Sequence, residues 1–149
     1  MLQRRGTQLA IEILLLLASE QERKCRCVRE LATQLDVPVT YLAKIVRDLT
    51  HFGFLRGVRG PGGGVRLARP APEINLWEVV SAIEPVGKFE RCVLRPGRCD
   101  GLHQCPLHER WHPIREQITY LLKTQSLWQL ALTAQANGTL SVSLGAGRA

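Results

Sequence analysis

A chain of 149 residues is long enough for one compact domain with an added oligomerisation element, and too long to depend on disulfide staples. Apolar residues make up 45% and charged residues 22%, which excludes a disordered or collagen-like chain. The net charge of +7 is unevenly placed: residues 1–70 carry twelve Lys and Arg against six Asp and Glu, residues 71–149 eight against seven. The excess lies in the first half, where a polyanion-binding module needs it.

The N-terminus imitates a secretory leader, with Arg4 and Arg5 ahead of the apolar run Ile13 to Ala18. Glu12 interrupts the apolar stretch, the run is too short to span a bilayer, and no small-residue cleavage site follows. A cytoplasmic protein with no membrane partner is expected. Five cysteines cannot all pair within one chain, and in a reducing compartment clustered cysteines bind metal or do redox work.

Residues 8–19 read as a helix, with Leu9, Ile13, Leu14 and Leu17 at three-to-four spacing. Glu20 to Lys24 is a charged connection. Val28 to Leu35 reads as a second helix and Val39 to Phe52 as a third, with Leu42, Ile45, Val46 and Leu49 forming its apolar stripe. Pro38 suits the first turn of that helix and Gly53 its end. Two alternating runs, Phe54 to Arg59 and Val65 to Ala68, flank Gly60-Pro61-Gly62-Gly63-Gly64, a hairpin signal. Three helices and a hairpin make a winged helix-turn-helix over residues 1–70, closed by Pro70 and Pro72.

Ile74 to Ile83 reads as a further helix, with Leu76, Val79, Val80 and Ile83 inward. Residues 85–104 lack periodicity. From Cys105 to Leu122 the residues Leu107, Trp111, Ile114, Ile118, Leu121 and Leu122 make one narrow stripe, as in a helix that pairs with another. Pro113 is expected to kink this helix or to mark its start. A short helix from Leu127 to Leu132 folds back. Residues 71–136 thus hold a cysteine segment and dimerisation helices, and residues 137–149 a disordered tail. The fold class is mainly α with a small β-hairpin wing, plus a long dimerisation helix.

A recognition helix meets base edges with its first turns, which nominates Val39, Thr40, Tyr41 and Lys44. The hairpin offers Arg56, Arg59, Arg66 and Arg69 around its glycines. Gly60, Gly62 and Gly63 let the backbone approach a phosphate, and an arginine beside them suits the negative potential of a narrow minor groove. Arg59 is the foremost candidate. A nucleotide-phosphate loop is disfavoured, because the Gly-Lys-Ser/Thr ending and a following helix are missing. No nucleophile–base pair or other enzymatic constellation is present.

Cys92, Cys99 and Cys105 are separated by six and five residues, and His108 follows Cys105 by three. Soft thiolates favour an iron–sulfur cluster, zinc or Cu(I), although short Cys-x2–4-Cys zinc spacing is absent. Lys88, Arg91, Arg95 and Arg98 around the first two cysteines would favour thiolates. Unrelated thiols and a redox-switched disulfide are the competing readings.

Taken together, the segments Val39-Thr40-Tyr41-Leu42, Val58 to Gly64, Trp77 to Ile83 and Cys92…Cys99…Cys105-Pro106-Leu107-His108 resemble the IscR/NsrR family of iron–sulfur transcriptional regulators. The resemblance implies a homodimer that binds an imperfectly palindromic DNA operator, with affinity governed by a cluster on Cys92, Cys99 and Cys105. For the fourth ligand, an IscR-like pattern implies His108 and a 2Fe–2S cluster, the preferred reading. An NsrR-like pattern implies an N-terminal carboxylate of the partner subunit and 4Fe–4S. Gln8 stands near that carboxylate position, and the partner subunit's Glu12, one turn later, is the alternative. His103 and His112 are spares on the surface. Cys25 and Cys27 match no family ligand position. A cluster-free thiol sensor and a structural zinc protein of the same fold are the runner-up readings.

Overall fold

The computed structural model describes residues 4–20, 25–84, 91, 92, 94, 97–99 and 105–138. The chain forms α1 (Arg5–Ser19), α2 (Val28–Gln34), α3 (Val39–His51), the antiparallel strands β1 (Leu55–Val58) and β2 (Gly64–Leu67), a 3-10 turn (Ala71–Glu73), α4 (Leu76–Ile83), α5 (His108–Thr124) and α6 (Leu127–Ala136). The expected winged helix-turn-helix is therefore present, with its elements within a few residues of their predicted bounds.

Helix α1 is apolar almost all round, and Leu9, Ala10 and every residue from Ile13 to Ala18 are buried. A helix with that pattern belongs at the centre of a fold. Here α3, α4, α6 and β2 all pack against it. Helix α2 ends in a tight turn where Asp36 takes the left-handed conformation, φ 52°, and α3 departs from there. Leu42, Ile45, Val46 and Leu49 are buried on its inner face. The strands pair Leu55 with Leu67 and Arg56 with Arg66, so Leu55 and Val65 point into the core while the arginine pair shares the other face.

One contact was not foreseen. Arg26, in the α1–α2 connection, bridges Val65 with two backbone hydrogen bonds of 2.9 Å each. β2 thus has a partner on each edge. The Arg26 side chain bonds Glu20, Glu30 and Gln34, which fastens the connection to both helices it joins.

Asn75 caps α4, accepting from the Glu78 amide at 3.0 Å. Helix α5 starts at His108 and passes through Pro113, which forfeits one backbone bond without ending the helix. Leu122 and Ile118 pack against Val80 of α4, and the Lys123 ammonium lies 5.3 Å from the Trp77 ring centre. Helix α6 opens with a Ser126–Gln129 capping box and returns to α1. Its Leu127 and Ala131 join the same core as Leu9, Ile13 and Leu49, so one apolar core runs from α1 to α6. No described helix is long and apolar enough to cross a membrane. The expected tail lies outside the described residues from position 139 onward.

Candidate nucleic-acid interface and cysteine site

The burial of α3's inner face leaves Val39, Thr40, Tyr41 and Lys44 on its outer one, all exposed. Pro38 precedes the helix without a side-chain cap, and its first turn contains no acid. The positive end of α3 is therefore open to an anion. Arg59 is exposed at the hairpin's tip, as are Gly60 and Gly62. Gly63 has no freedom to grow: a Cβ there would stand 2.3 Å from the Val58 carbonyl oxygen and 2.8 Å from that of Gly60. Arg56 is exposed, but Arg66 opposite it is half-buried. Arg69 bonds Glu78 at 2.5 Å.

Sequence reading gave Arg4 and Arg5 no binding role, because they resembled a leader's basic end. The fold brings both beside α3, where they line a cavity of about 410 Å³ with Tyr41 and Lys44. Arg4 approaches the buried Glu84 carboxylate at 3.7 Å, and the Thr7 hydroxyl donates to the same carboxylate at 2.5 Å. Arg4, Arg5, Tyr41 and Lys44 thus border one surface, with Asp48 among them. Only tertiary contact reveals this, since the residues lie some forty positions apart in sequence.

In the second half, Cys92 donates its N–H to the Gly97 carbonyl at 3.0 Å, and Arg91 bridges Arg98. His108 opens α5 and bonds the Cys105 carbonyl at 3.0 Å. These turns bring the four candidate ligands into two pairs. The Cys92 and Cys105 sulfurs are 3.7 Å apart, and the Cys99 sulfur is 3.2 Å from His108 Nδ1. Arg115 donates to the Cys99 carbonyl at 3.3 Å, tying that cysteine to α5. Among the described residues, no three His, Cys, Asp or Glu side chains converge on one metal-holding point. The donors nevertheless fit a soft metal: two thiolates ~2.3 Å from one tetrahedral ion lie ~3.8 Å apart, close to the Cys92–Cys105 separation. Lys88, Arg95 and His103 lie outside the described residues. The His112 ring lies tilted against that of His108, centres 5.3 Å apart, and is 3.7 Å from Glu116.

Gln8 is exposed, whereas Glu12 is 5% exposed and its Oε2 has no hydrogen-bond partner among the described residues. Burial pushes its carboxyl above the usual carboxylate range, and the Arg5 charge opposes the rise only partly. A raised folded-state pKa means that the folded chain holds this proton to higher pH than the unfolded one. The cost of burying the charge is therefore full above the raised pKa and vanishes below the unfolded value. Glu12→Gln is expected to raise stability by about 1 kcal/mol at pH 8, with no gain at pH 4. Thermal melts at both pH values check this, and a gain independent of pH would refute the assignment.

Comparison with known proteins agrees with this architecture. The profile described as "Rrf2: Iron-dependent Transcriptional regulator" matches residues 4–133. A putative HTH-type transcriptional regulator of Aquifex aeolicus is 29% identical over 123 residues, 81% of this chain and 85% of the relative. The HTH-type transcriptional regulator IscR of Xenorhabdus nematophila is 34% identical over 101 residues, 68% of this chain but only 61% of the relative. Among solved structures, CymR, the global cysteine regulator of B. subtilis, superposes with a TM-score of 0.73 at 20% identity, covering 87% of this chain and 95% of that one. T. potens IscR gives 0.70 at 19%, covering 90% and 88%. At such identities the structural likeness speaks for the fold alone. The profile match over most of the sequence speaks for ancestry: the chain belongs to the Rrf2 family of transcriptional regulators, a family of DNA-binding proteins and not of enzymes.

Proposed function

We propose that this chain is a cytoplasmic, homodimeric regulator whose operator binding is set by an iron–sulfur cluster on Cys92, Cys99, Cys105 and His108. The observation that carries this reading is the pairing of the four donors, Cys92 with Cys105 and Cys99 with His108. A two-iron cluster takes two protein ligands on each iron, so two pairs favour 2Fe–2S over 4Fe–4S. When bound, such a group supplies sensitivity to oxidants, iron supply or nitric oxide. His108 is preferred over the partner subunit's Glu12, because Glu12 is turned into its own protomer's core.

The chain's own residues supply the rest. Val39, Thr40, Tyr41 and Lys44 would enter the major groove, while Arg59 with Gly60, Gly62 and Gly63 would approach the flanking minor groove. Arg4 and Arg5 would add phosphate contacts. Ile114 and Leu121, seven positions apart and so on one face of α5, are 49% and 55% exposed, an apolar strip suited to a second copy. A two-fold dimer would read two half-sites ~34 Å apart, hence an imperfect palindrome.

The test is anaerobic reconstitution, with iron and sulfide counts and operator binding of loaded and stripped protein. Iron and sulfide are expected at cluster stoichiometry and to fall in His108→Ala, and operator affinity is expected to differ between the two forms. Equal affinity, or zinc retained without sulfide, would defeat the cluster reading. Arg59→Ala is expected to weaken operator binding by ~1–3 kcal/mol, checked by fluorescence anisotropy. Unchanged affinity would remove Arg59 from the interface. A second reading rests on the same 3.7 Å approach of Cys92 and Cys105, which also suits a reversible disulfide. Thiol counts before and after mild oxidation, on protein free of iron, separate the two.

A further inference from the structure

At the root of the wing, on the far side of β2 from Gly63's tight turn, lies a cavity of about 320 Å³. Its walls come from the end of α1, the two strands, the segment after them and α6, and none of the recognition residues Val39 to Lys44 contributes. The volume falls within the range of small-molecule sites, ~300–1,000 Å³.

Its chemistry is unusual for a structural void. Arg56 and Arg66 line it and stand directly opposite each other across the hairpin, an arrangement of like charges that destabilises a strand pair unless an anion answers it. Neither forms an ion pair with the described residues, and Arg66 Nε is buried without a hydrogen-bond partner. Glu20 lines the same cavity. One of its oxygens bonds Arg26, while Oε2 is buried and unpartnered. An unanswered guanidinium donor and an unanswered carboxylate acceptor therefore share one small enclosure, and each is costly unless a partner arrives. Leu17, Leu67, Pro70 and the half-exposed Trp128 provide apolar wall beside them.

We infer that this cavity binds a free α-amino acid with an apolar side chain. The carboxylate is taken by Arg66 and Arg56, the ammonium donates to Glu20 Oε2, and the side chain lies against Leu67, Pro70 and Trp128. A plain anion would leave the glutamate unanswered, and a plain amine would leave the arginines so. A DNA phosphate is the competing occupant of the arginine pair. A buried Nε in a cavity walled on one side by Trp128 of α6 suits a small solute better than a duplex backbone. The inference does not depend on the cysteine site, which contributes nothing to the walls.

The experiment is isothermal calorimetry of the full chain at fixed salt, with L-leucine and L-phenylalanine as probes and 3-phenylpropanoate as the ammonium-free comparator. Saturable binding of at least one amino acid is expected, one per chain. Binding is expected to be at least ~10-fold weaker in Arg66→Gln and in Glu20→Gln, the loss typical of one charge-assisted hydrogen bond. The comparator is expected to bind at least ~10-fold more weakly than L-phenylalanine on the same ground. Melting curves identify a variant that has failed to fold, in which case the other variant decides. The proposal is overturned if neither amino acid binds, if the folded variants bind like the wild type, or if 3-phenylpropanoate binds as well as L-phenylalanine. It is also overturned if Arg66→Gln lowers only operator affinity, which would give the arginines to DNA phosphates.

Discussion

Gly64→Ala is expected to destabilise the protein by about 3 kcal/mol. Gly64 sits at φ 146°, a conformation that side chains rarely adopt, and a Cβ there would lie 2.3 Å from the Arg26 carbonyl oxygen and 2.6 Å from its carbon. The strained backbone alone costs ~1–3 kcal/mol. The clash is with main chain, so relief requires the α1–α2 connection to back away from β2. That movement weakens two 2.9 Å hydrogen bonds between Arg26 and Val65, each worth ~1 kcal/mol. Gly57 lies one position along the opposite strand, and nothing stands within 4 Å of its notional Cβ. Gly57→Ala is therefore the matched comparison and is expected to change stability by less than ~1 kcal/mol. Urea denaturation of both variants checks this. Equal midpoints would mean that the contact at Gly64 is not a constraint.

The second large effect is expected at Leu127, which is 0% exposed and shares a core with α1. Its N–H also bonds the Ile74 carbonyl at 2.8 Å, so the side chain cannot settle without moving the start of α6. Leu127→Ala should cost ~2–5 kcal/mol, the range for a leucine whose cavity cannot collapse. Leu132, 46% exposed on the same helix, should tolerate alanine within ~0.5 kcal/mol. A small loss at Leu127 would show that α6 is an appendage. A large one makes it part of the DNA-binding head, despite its place at the far end of the sequence.

Much of the head was legible because its helices are amphipathic in the ordinary sense. Leu42, Ile45, Val46 and Leu49 mark one face of α3, and the glycine cluster between two alternating runs marks the hairpin. Other features left no such trace. Arg5, Gly6 and Thr7 extend α1 by a turn without any apolar rhythm. Arg26 pairs with β2 through a single residue, too short to show alternation. Glu12 looked like a break in an apolar run, yet it is buried among residues that are themselves buried on all sides of α1. Pro113 marked a plausible helix start, but a helix can lose one bond and continue. The spacing of Cys92, Cys99, Cys105 and His108 nominated four donors. Which donor faces which depends on the turn at Arg91–Arg98 and on where α5 begins, and neither is written in the intervals.

The bridge between Arg26 and Val65 bears on how a signal could reach DNA. A hairpin attached only at its base can flap, and flapping would offer a simple way to loosen grip. This one is held at one edge as well, where Val65 pairs with Arg26 of the loop joining the first two helices. In the proposed homodimer, wing and helices would then move together as one block, one protomer sliding or rotating against the other. What such a dimer would measure along the duplex is the gap between half-sites, which the angle of an arm does not set.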